Sequence, residues 1–526
     1  MNHTNNSSLP TDENAIPVSP DNEASKPSLD RRKFVEIMAA SAIGFTIVPR
    51  HVLGGKGFIA PSDIVTLAYV GIGTQGIREL LPMLANPQIR VVSVCDPNKD
   101  AVGYKDWDID GLRDEIRKAI RKPDWQPGGD NTIPGGRENG KSIVDNFYAN
   151  VHPELGYKGC TMYADYRELL EKEKNVDAIK IITPDHLHGL FSMWAIKKGK
   201  HVMVHKPLSN RLTEGKKVIQ MARNSKVITH LIPWDYNGSM TDIMSWIQAG
   251  AIGNLTEIHN WTNRPVWPQY PQLPEPAQPP ASLNWDLWLG PEADRPYSPN
   301  YTNMVFRGWY DFGGGSMADM GHYSLWSVFK ALQLTSPTIV EPNLSHVCAL
   351  HDPVPYEIKN DFSFPMASSV RFKYPANGAR AAVDLCWYDG GMRPAIPSEL
   401  LEQNKELPAE GMMFVGDKGK ILAGFNIQDP EIISGTKMDA STQPDKRSHE
   451  ERAQAALSLF ADACKSGKPY PGNFNEAEYI TEAINLYALS LRTGRMLKYD
   501  AASVQITNVP EANDWLGRNY RKGWEV

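Results

Sequence analysis

The sequence predicts an α/β chain in two parts, an N-terminal doubly wound parallel sheet and a C-terminal α+β domain with an open mixed sheet. Three observations carry this. Between about 61 and 210, apolar β-branched runs alternate with helix-periodic stretches, the pattern of parallel strands joined by crossover helices. From about 211 to 500 the text turns to strand-like runs such as Ser368–Tyr374, Ala381–Trp387 and Met412–Val415, mixed with helices. The length, 526 residues, exceeds the ~250–300 at which single cores stop growing.

Residues 1–30 are rich in Asn, Ser, Pro, Asp and Glu and nearly free of aromatics, so they bury too little to fold and read as a disordered tail. In 31–60, Arg31-Arg32 precedes an apolar run through Met38 to Val48, too short to span a bilayer. A twin arginine before such a run is similar to a Tat export signal and predicts a periplasmic protein. The alternative is a cytoplasmic protein with an amphipathic N-terminal helix. The net charge of −6 points to neither nucleic acid nor stable membrane insertion. The five cysteines are scattered without C-x-x-C spacing, so no disulfide framework and no metal site is expected.

The first strand, Ile64 to Val70, runs into Gly71, Ile72, Gly73, Thr74, Gln75 and Gly76, a G-x-G-x-x-G turn followed by apolar Ile77, Leu80, Leu81 and Leu84. Gly71 permits a tight turn, Gly73 lets backbone approach a pyrophosphate, and Gly76 lets the helix pack close to the strand. The helix N-terminus offers free N–H groups to phosphates. A second strand, Val91–Cys95, ends on Asp96, about twenty residues past the glycines, where a carboxylate reaches an adenosine ribose. Together these predict a Rossmann dinucleotide site that favours NAD over NADP, since a carboxylate repels a 2′-phosphate. The polar insertion between Asp96 and Val151 has a helical centre at Gly111–Ile120 and no evident role. The strand Val176–Ile182 stops at Thr183-Pro184, with His186 and His188 after it, so this loop should border the cofactor. His201–Val204 ends in His205-Lys206-Pro207. A lysine there can polarise or deprotonate a hydroxyl that loses hydride.

In the second part, residues 265–300 are proline-rich and read as an extended arm over a partner subunit or the active site. Trp261, Trp267, Trp285, Trp288 and Trp309 are either stacking platforms for pyranose rings or packing anchors. The stretch Gly313-Gly314-Gly315, Asp319, His322 places a carboxylate and an imidazole three apart, on one face if helical. Such a pair suits proton transfer from an alcohol. An amphipathic helix at 476–493, stopped at Gly494, should pack back on the first domain. Residues 501–526 read as a C-terminal tail.

The ordered set Gly71-x-Gly73-x-x-Gly76, Asp96, Thr183-Pro184 with His188, Lys206-Pro207 and Gly313–Gly315 with Asp319 and His322 resembles the Gfo/Idh/MocA oxidoreductases, from about Asp63 to Tyr499. The resemblance implies an NAD(P)-dependent dehydrogenase that moves hydride between nicotinamide and a secondary ring hydroxyl of a sugar or glycoside, and a homodimer or homotetramer. By position, Lys206 matches the family's Lys of Glu-Lys-Pro, and Asp319 and His322 its acid–base pair. Gly71 to Gly76, Asp96, Thr183, Pro184, His188, His205 and Lys206 would hold the cofactor. In this scheme C3 of a hexopyranoside is oxidised, His322 takes the hydroxyl proton, Lys206 supports the alkoxide and Asp319 orients His322. Two departures stand out. The family's Glu is His205 here, and its Asp and His usually sit four apart. Alternative readings are an NAD-dependent glycoside hydrolase without net redox, a cytosolic inositol dehydrogenase-like enzyme, and a non-catalytic sugar-binding or sensor protein.

Overall fold

Six strands, β1 (Val65–Val70), β2 (Ile89–Cys95), β3 (Thr161–Tyr163), β4 (Ala178–Ile181), β5 (His201–His205) and β6 (Thr229–Ile232), form one sheet ordered β3-β2-β1-β4-β5-β6. Every pair is parallel. The structure, a computed structural model, describes residues 59–526 apart from 102–103, 105, 107, 233–239, 379 and 442–446. The expected tail 1–30 and the Arg31-Arg32 segment lie outside the described residues. Helices cover both faces of the sheet, so β1 and β4 are buried almost throughout and read as continuous apolar runs. The strand order reverses between β1 and β4, which opens a crevice above their carboxyl ends. β6 lies beyond the boundary expected at 210. The Leu212–Arg223 helix is the crossover that returns the chain to this sheet, so the first domain runs to Ile232.

The second sheet draws on β7 (Leu255–Trp261), β8 (Ile339–Leu344), β11 (Ser368–Tyr374), β12 (Val383–Asp389), β13 (Gly411–Gly416), β14 (Lys420–Ala423), β15 (Glu431–Ser434), β16 (Leu497–Asp500) and β17 (Gln505–Ile506). Their order is β15-β14-β13-β7-β12-β11-β8-β16-β17, mixed because β7 and β12 pair in parallel. β9 (Val347–His351) and β10 (Val354–Ile358) form a separate hairpin. β11 alternates buried and half-buried residues, and its inward Val370, Phe372 and Tyr374 share one core with the helices Gly315–Ala331 and Glu478–Thr493. Each such side chain contributes about 1.5–3 kcal/mol by leaving water. That core continues to Ala68 and Val70 of β1, so the two sheets are not separable bodies.

Three segments differ from their sequence-based expectations. The proline-rich 265–300 arm lies on its own chain: Ser282 and Pro97 carbonyls accept from Lys99 and Asn284 N–H groups at 2.8 and 3.2 Å. Trp261, Trp267 and Trp309 are fully buried packing anchors. Residues 501–526 are no tail. Gln505–Ile506 pairs with β16, Arg518 is ion-paired to Glu292 and, at 3.3 Å, to Glu214, and Trp524 is 3% exposed, stacked on Trp194 at 5.8 Å. Buried aromatic area and satisfied charge fix this strap, which the polar text around it concealed. The helix His449–Ser466, opened by a Ser448/Glu451 capping box, returns to the far face of the parallel sheet, where Leu457 and Phe460 join Leu67, Ile77 and Ile116. Among the described residues, no helix is long and apolar enough to cross a membrane.

Candidate active site

A cavity of about 420 Å³ lies in the crevice above β1, β2, β4 and β5. One end is built by the glycine turn. Gly71 has φ +101°, and a Cβ there would stand 2.3 Å from the Ile182 carbonyl oxygen. A Cβ on Gly76 would meet the Gly71 oxygen at 2.3 Å, so only glycine lets the Thr74–Ala85 helix sit this close to its strand. Beside Gly73 the nearest described atom is the Tyr104 ring at 3.7 Å. The helix has no side-chain cap, and the N–H groups of Thr74, Gln75 and Gly76 precede the first intrahelical bond, from Ile77 to Gly73. These donors face the cavity, as an anion site requires. Asp96 accepts from the N–H groups of Ile72 and Asn98 at 2.7 and 2.8 Å. Burial pushes its carboxyl up to about 6 against those bonds, and its two oxygens retain free lone pairs. The donor loop and the acidic acceptor fit a dinucleotide's pyrophosphate and ribose.

The insertion after Asp96 walls this end. Its Gly136 N–H bonds to the Ile72 carbonyl at 2.8 Å, and Arg137 donates to the Asp96 carbonyl oxygen at 3.2 Å. Tyr166, Phe191, Trp288 and Trp524 supply an aromatic side. The proline-rich arm and the C-terminal strap thus each lend residues to the cavity.

At the other end, Lys206 follows β5 with its side chain 3% exposed and its Nζ 3.0 Å from Asp319 Oδ1. It also donates to the Asp319 backbone oxygen. Burial pulls the ammonium below its ordinary range, with Asp319 opposing. Arg307 Nε at 3.3 Å and Arg264 Nη1 at 4.0 Å complete a cage around the carboxylate. Burial would raise the Asp319 carboxyl, but the three cations outweigh it and hold it well below the carboxylate range. Asp319 therefore serves Lys206 and does not orient His322.

His322 is fully buried and is not among the residues lining the cavity. Neither ring nitrogen makes an aligned hydrogen bond, although the Ala318 carbonyl is beside the ring. Burial, reinforced by Lys206, drives it well below its usual value. Three residues on from Asp319 the helix has turned about 300°, and four residues on about 400°. The fourth residue is Tyr323, which lines the cavity, its ring 4.8 Å from the Lys206 ammonium. The sequence favours the histidine for its chemistry, while the tyrosine stands four residues after Asp319.

The remaining candidates divide. Gly71, Gly73, Thr74, Gln75, Gly76, Asp96, Thr183, Pro184, His205 and Lys206 line the cavity. Ile72 does not line the cavity; its N–H donates to Asp96 and its carbonyl accepts from Gly136. His188 is a bracket under the floor, its ring nitrogens 2.6 and 2.8 Å from the Pro207 and Thr183 carbonyls. Burial pulls it down to about 3. His186, similarly lowered, bonds the Trp288 carbonyl at 3.0 Å. His205 is not left without a carboxylate. Glu79, from the Thr74–Ala85 helix, lies 2.7 Å from its Nδ1 and 2.5 Å from the Lys180 ammonium. Glu257, His259 and Cys386 cluster on the second sheet, but both His259 nitrogens are engaged, with Glu257 and Tyr388 at 3.0 Å each.

Residues 143–232 match the model of an oxidoreductase family with an NAD-binding Rossmann fold. Residues 239–345 and 348–526 match the C-terminal alpha/beta domain of the same family. The first match begins beyond the glycine turn and most of the insertion. A levoglucosan dehydrogenase of Pseudarthrobacter phenanthrenivorans is 27% identical over 138 residues, 24% of this chain and 35% of the relative. A dTDP-3,4-didehydro-2,6-dideoxy-alpha-D-glucose 3-reductase of Streptomyces violaceoruber is 32% identical over 101 residues, 19% and 29%. The aligned stretches thus span about a third of those relatives' length. Among solved structures, the aldose-aldose oxidoreductase of Caulobacter crescentus complexed with glycerol aligns at 15% identity, TM-score 0.44, covering 83% of this chain and 99% of that one. A levoglucosan dehydrogenase complexed with NADH and L-sorbose aligns at 12% and 0.48, covering 84% and 100%.

Proposed function

Since the chain belongs to the Gfo/Idh/MocA oxidoreductase family, we propose that it is an NAD-dependent dehydrogenase acting on a secondary ring hydroxyl of a sugar or glycoside. The observation that carries this is the position of Lys206. It stands at the carboxyl end of a central parallel strand, anchored by Asp319, in a cavity continuous with the glycine turn. The free N–H groups of 74–76 would hold the pyrophosphate, Asp96 the adenosine ribose, and Thr183, Pro184 and Lys206 the nicotinamide end. A nicotinamide held there would supply the acceptor for the hydride that leaves the carbinol carbon. Lys206 donates a hydrogen bond to the substrate oxygen and stabilises negative charge as it develops there. Tyr323, which lines the cavity with its ring 4.8 Å from that ammonium, is the residue we propose as acceptor of the hydroxyl proton. Asp319 keeps the lysine charged and aimed, and His188, a neutral ring that can donate to one carbonyl only, packs between the two loops that flank it.

C3 of a hexopyranoside is the hydroxyl we favour, on the sugar relatives' chemistry. The test is the absorbance of reduced nicotinamide on mixing the protein and NAD with glucosides, galactosides, free hexoses and inositols. Reduction by one class, reduced roughly 100- to 10,000-fold in Lys206→Met, supports the proposal; reduction unaffected by that substitution overturns the role of Lys206. Two further proposals rest on sequence and surface. Arg31-Arg32 directs export to the periplasm, tested by cell fractionation of wild type and an Arg31→Lys, Arg32→Lys variant. The β9–β10 hairpin, with exposed Leu350, Val354 and Tyr356, supports a homo-oligomer, tested by light scattering.

A further inference from the structure

The substrate end of the cavity holds more positive charge than hydride transfer to a neutral sugar needs. Lys206, Arg264 and Arg307 line it, three cations against Asp319 in the wall and Asp185 behind it, which also attracts Lys206 and Arg307. Asp185, behind the wall, is 1% exposed and accepts from the Gly314 N–H at 3.1 Å. The two guanidinium groups have almost nothing else to do. Among the described residues, the Arg264 side chain meets only Asp319, at 4.0 Å. Arg307, its side chain 16% exposed, lies 3.3 Å from Asp319 without hydrogen-bond alignment and otherwise rests 4.6 Å over the Phe306 ring. Arg113, by contrast, donates through its terminal nitrogens to Asp110 and to the carbonyls of Gly129, Asp130 and Thr132. A guanidinium offers five N–H donors in a planar fork that matches a carboxylate or phosphate.

We propose that the substrate is an anionic sugar, and that Arg264 and Arg307 bind its carboxylate or phosphate while the reacting hydroxyl lies at Lys206. The inference rests on the sugar-dehydrogenase reading of this cavity. Hydroxyl oxygens of a neutral sugar could also accept from the arginines. They would leave one cation more than carboxylates at this end of the cavity, partly screened by water at Arg264, whose side chain is 34% exposed, and less so at Arg307, where an unpaired charge is costly. An anion removes that cost.

The experiment is calorimetric binding to the NAD-saturated protein of hexuronates, their uncharged methyl esters, hexose 6-phosphates and the parent hexoses, in gluco, galacto and manno configurations. At least one anionic sugar should bind roughly 10- to 100-fold more tightly than its neutral counterpart, the worth of hydrogen bonds to a charged group. Arg264→Gln and Arg307→Gln should collapse that ratio, and Arg307→Lys should restore part of it. Uronate and phosphate arms identify which anion is recognised. If no anionic sugar outbinds its neutral partner, or the ratio survives both glutamine variants, the inference is overturned. Nicotinamide reduction is followed in parallel. Turnover of neutral sugars alone would leave the dehydrogenase reading standing without the anion site, whereas arginine-dependent binding of an anionic sugar without any hydride transfer would do the reverse.

Discussion

Glu79→Gln isolates the arrangement that stands in for the missing glutamate before Lys206. In the wild type one carboxylate bridges the Lys180 ammonium at 2.5 Å and His205 Nδ1 at 2.7 Å. Lys180 is 0% exposed and Glu79 14%, so water screens neither. The substitution keeps the shape and removes the charge, which leaves the Lys180 ammonium buried without a counter-ion. Breaking a buried pair from one side costs about 3–5 kcal/mol. Lys180→Met should cost a similar amount by leaving the carboxylate without its ammonium, with only His205 and the Gln75 amide, which donates at 3.2 Å, beside it. The double variant, with no charge left to compensate, should cost clearly less than the sum, a coupling of roughly 2 kcal/mol or more. The assay is urea unfolding of the four proteins, followed by circular dichroism, with midpoints compared at constant slope. Glu79→Gln within about 1 kcal/mol of wild type, or strict additivity in the cycle, would refute the claim that this triad is a coupled buried unit.

Three other outcomes follow. Tyr323→Phe should lower kcat roughly 100-fold or more with little change in cofactor binding, whereas a His322→Gln loss that appears in thermal stability and not per folded molecule would fit its buried site; the converse pattern reverses the assignment of the proton acceptor. His186, His188 and His230 are each pulled by burial to about 3, below their unfolded values. The unfolded chain therefore binds more protons between about pH 6.5 and 3, and stability should fall with acidification across that window. The slope is about 1.4 kcal/mol per pH unit for each histidine, opposed below about pH 6 by Asp96, Asp185 and Asp389, which burial pushes up to about 6. The fall should therefore be steepest between about pH 7 and 6, and urea titrations that are flat there would contradict it. Trp524→Ala should cost about 3–5 kcal/mol and speed NAD release, measured by desalting and residual nicotinamide absorbance; unchanged retention would remove the strap from the cofactor wall.

Much of the first domain was legible because its signals are local. A glycine turn, a strand-end acid and a strand-end lysine each reveal themselves within a few residues, and the crossover pattern places them together. Glu79 was not legible: it looks like one more polar residue on an amphipathic helix, and only the sheet shows that Lys180 and His205 face it. The phase of the Gly315–Ala331 helix decided between His322 and Tyr323, and a single residue of phase exchanges a cavity wall for a buried core. Arg264 and Arg307 were hidden in irregular, aromatic text, where charge gives no period to follow. The 501–526 strap failed as a reading because its few large aromatics are spaced by no regular element, and burial by a distant surface leaves no local pattern.

The strap and the helix His449–Ser466 have a kinetic meaning as well. Gln454 bonds the Pro82 carbonyl at 2.8 Å, and Trp524 closes a wall whose other members were made hundreds of residues earlier. Loop-closure entropy must be overcome before such distant contacts reward it. During synthesis the parallel sheet can collapse early, yet its outer helix layer and its nucleotide crevice stay unfinished until the ribosome has delivered both late segments. The site therefore assembles after translation of the whole fold, and a dinucleotide present at that moment would be enclosed as the last piece of the molecule to be sealed.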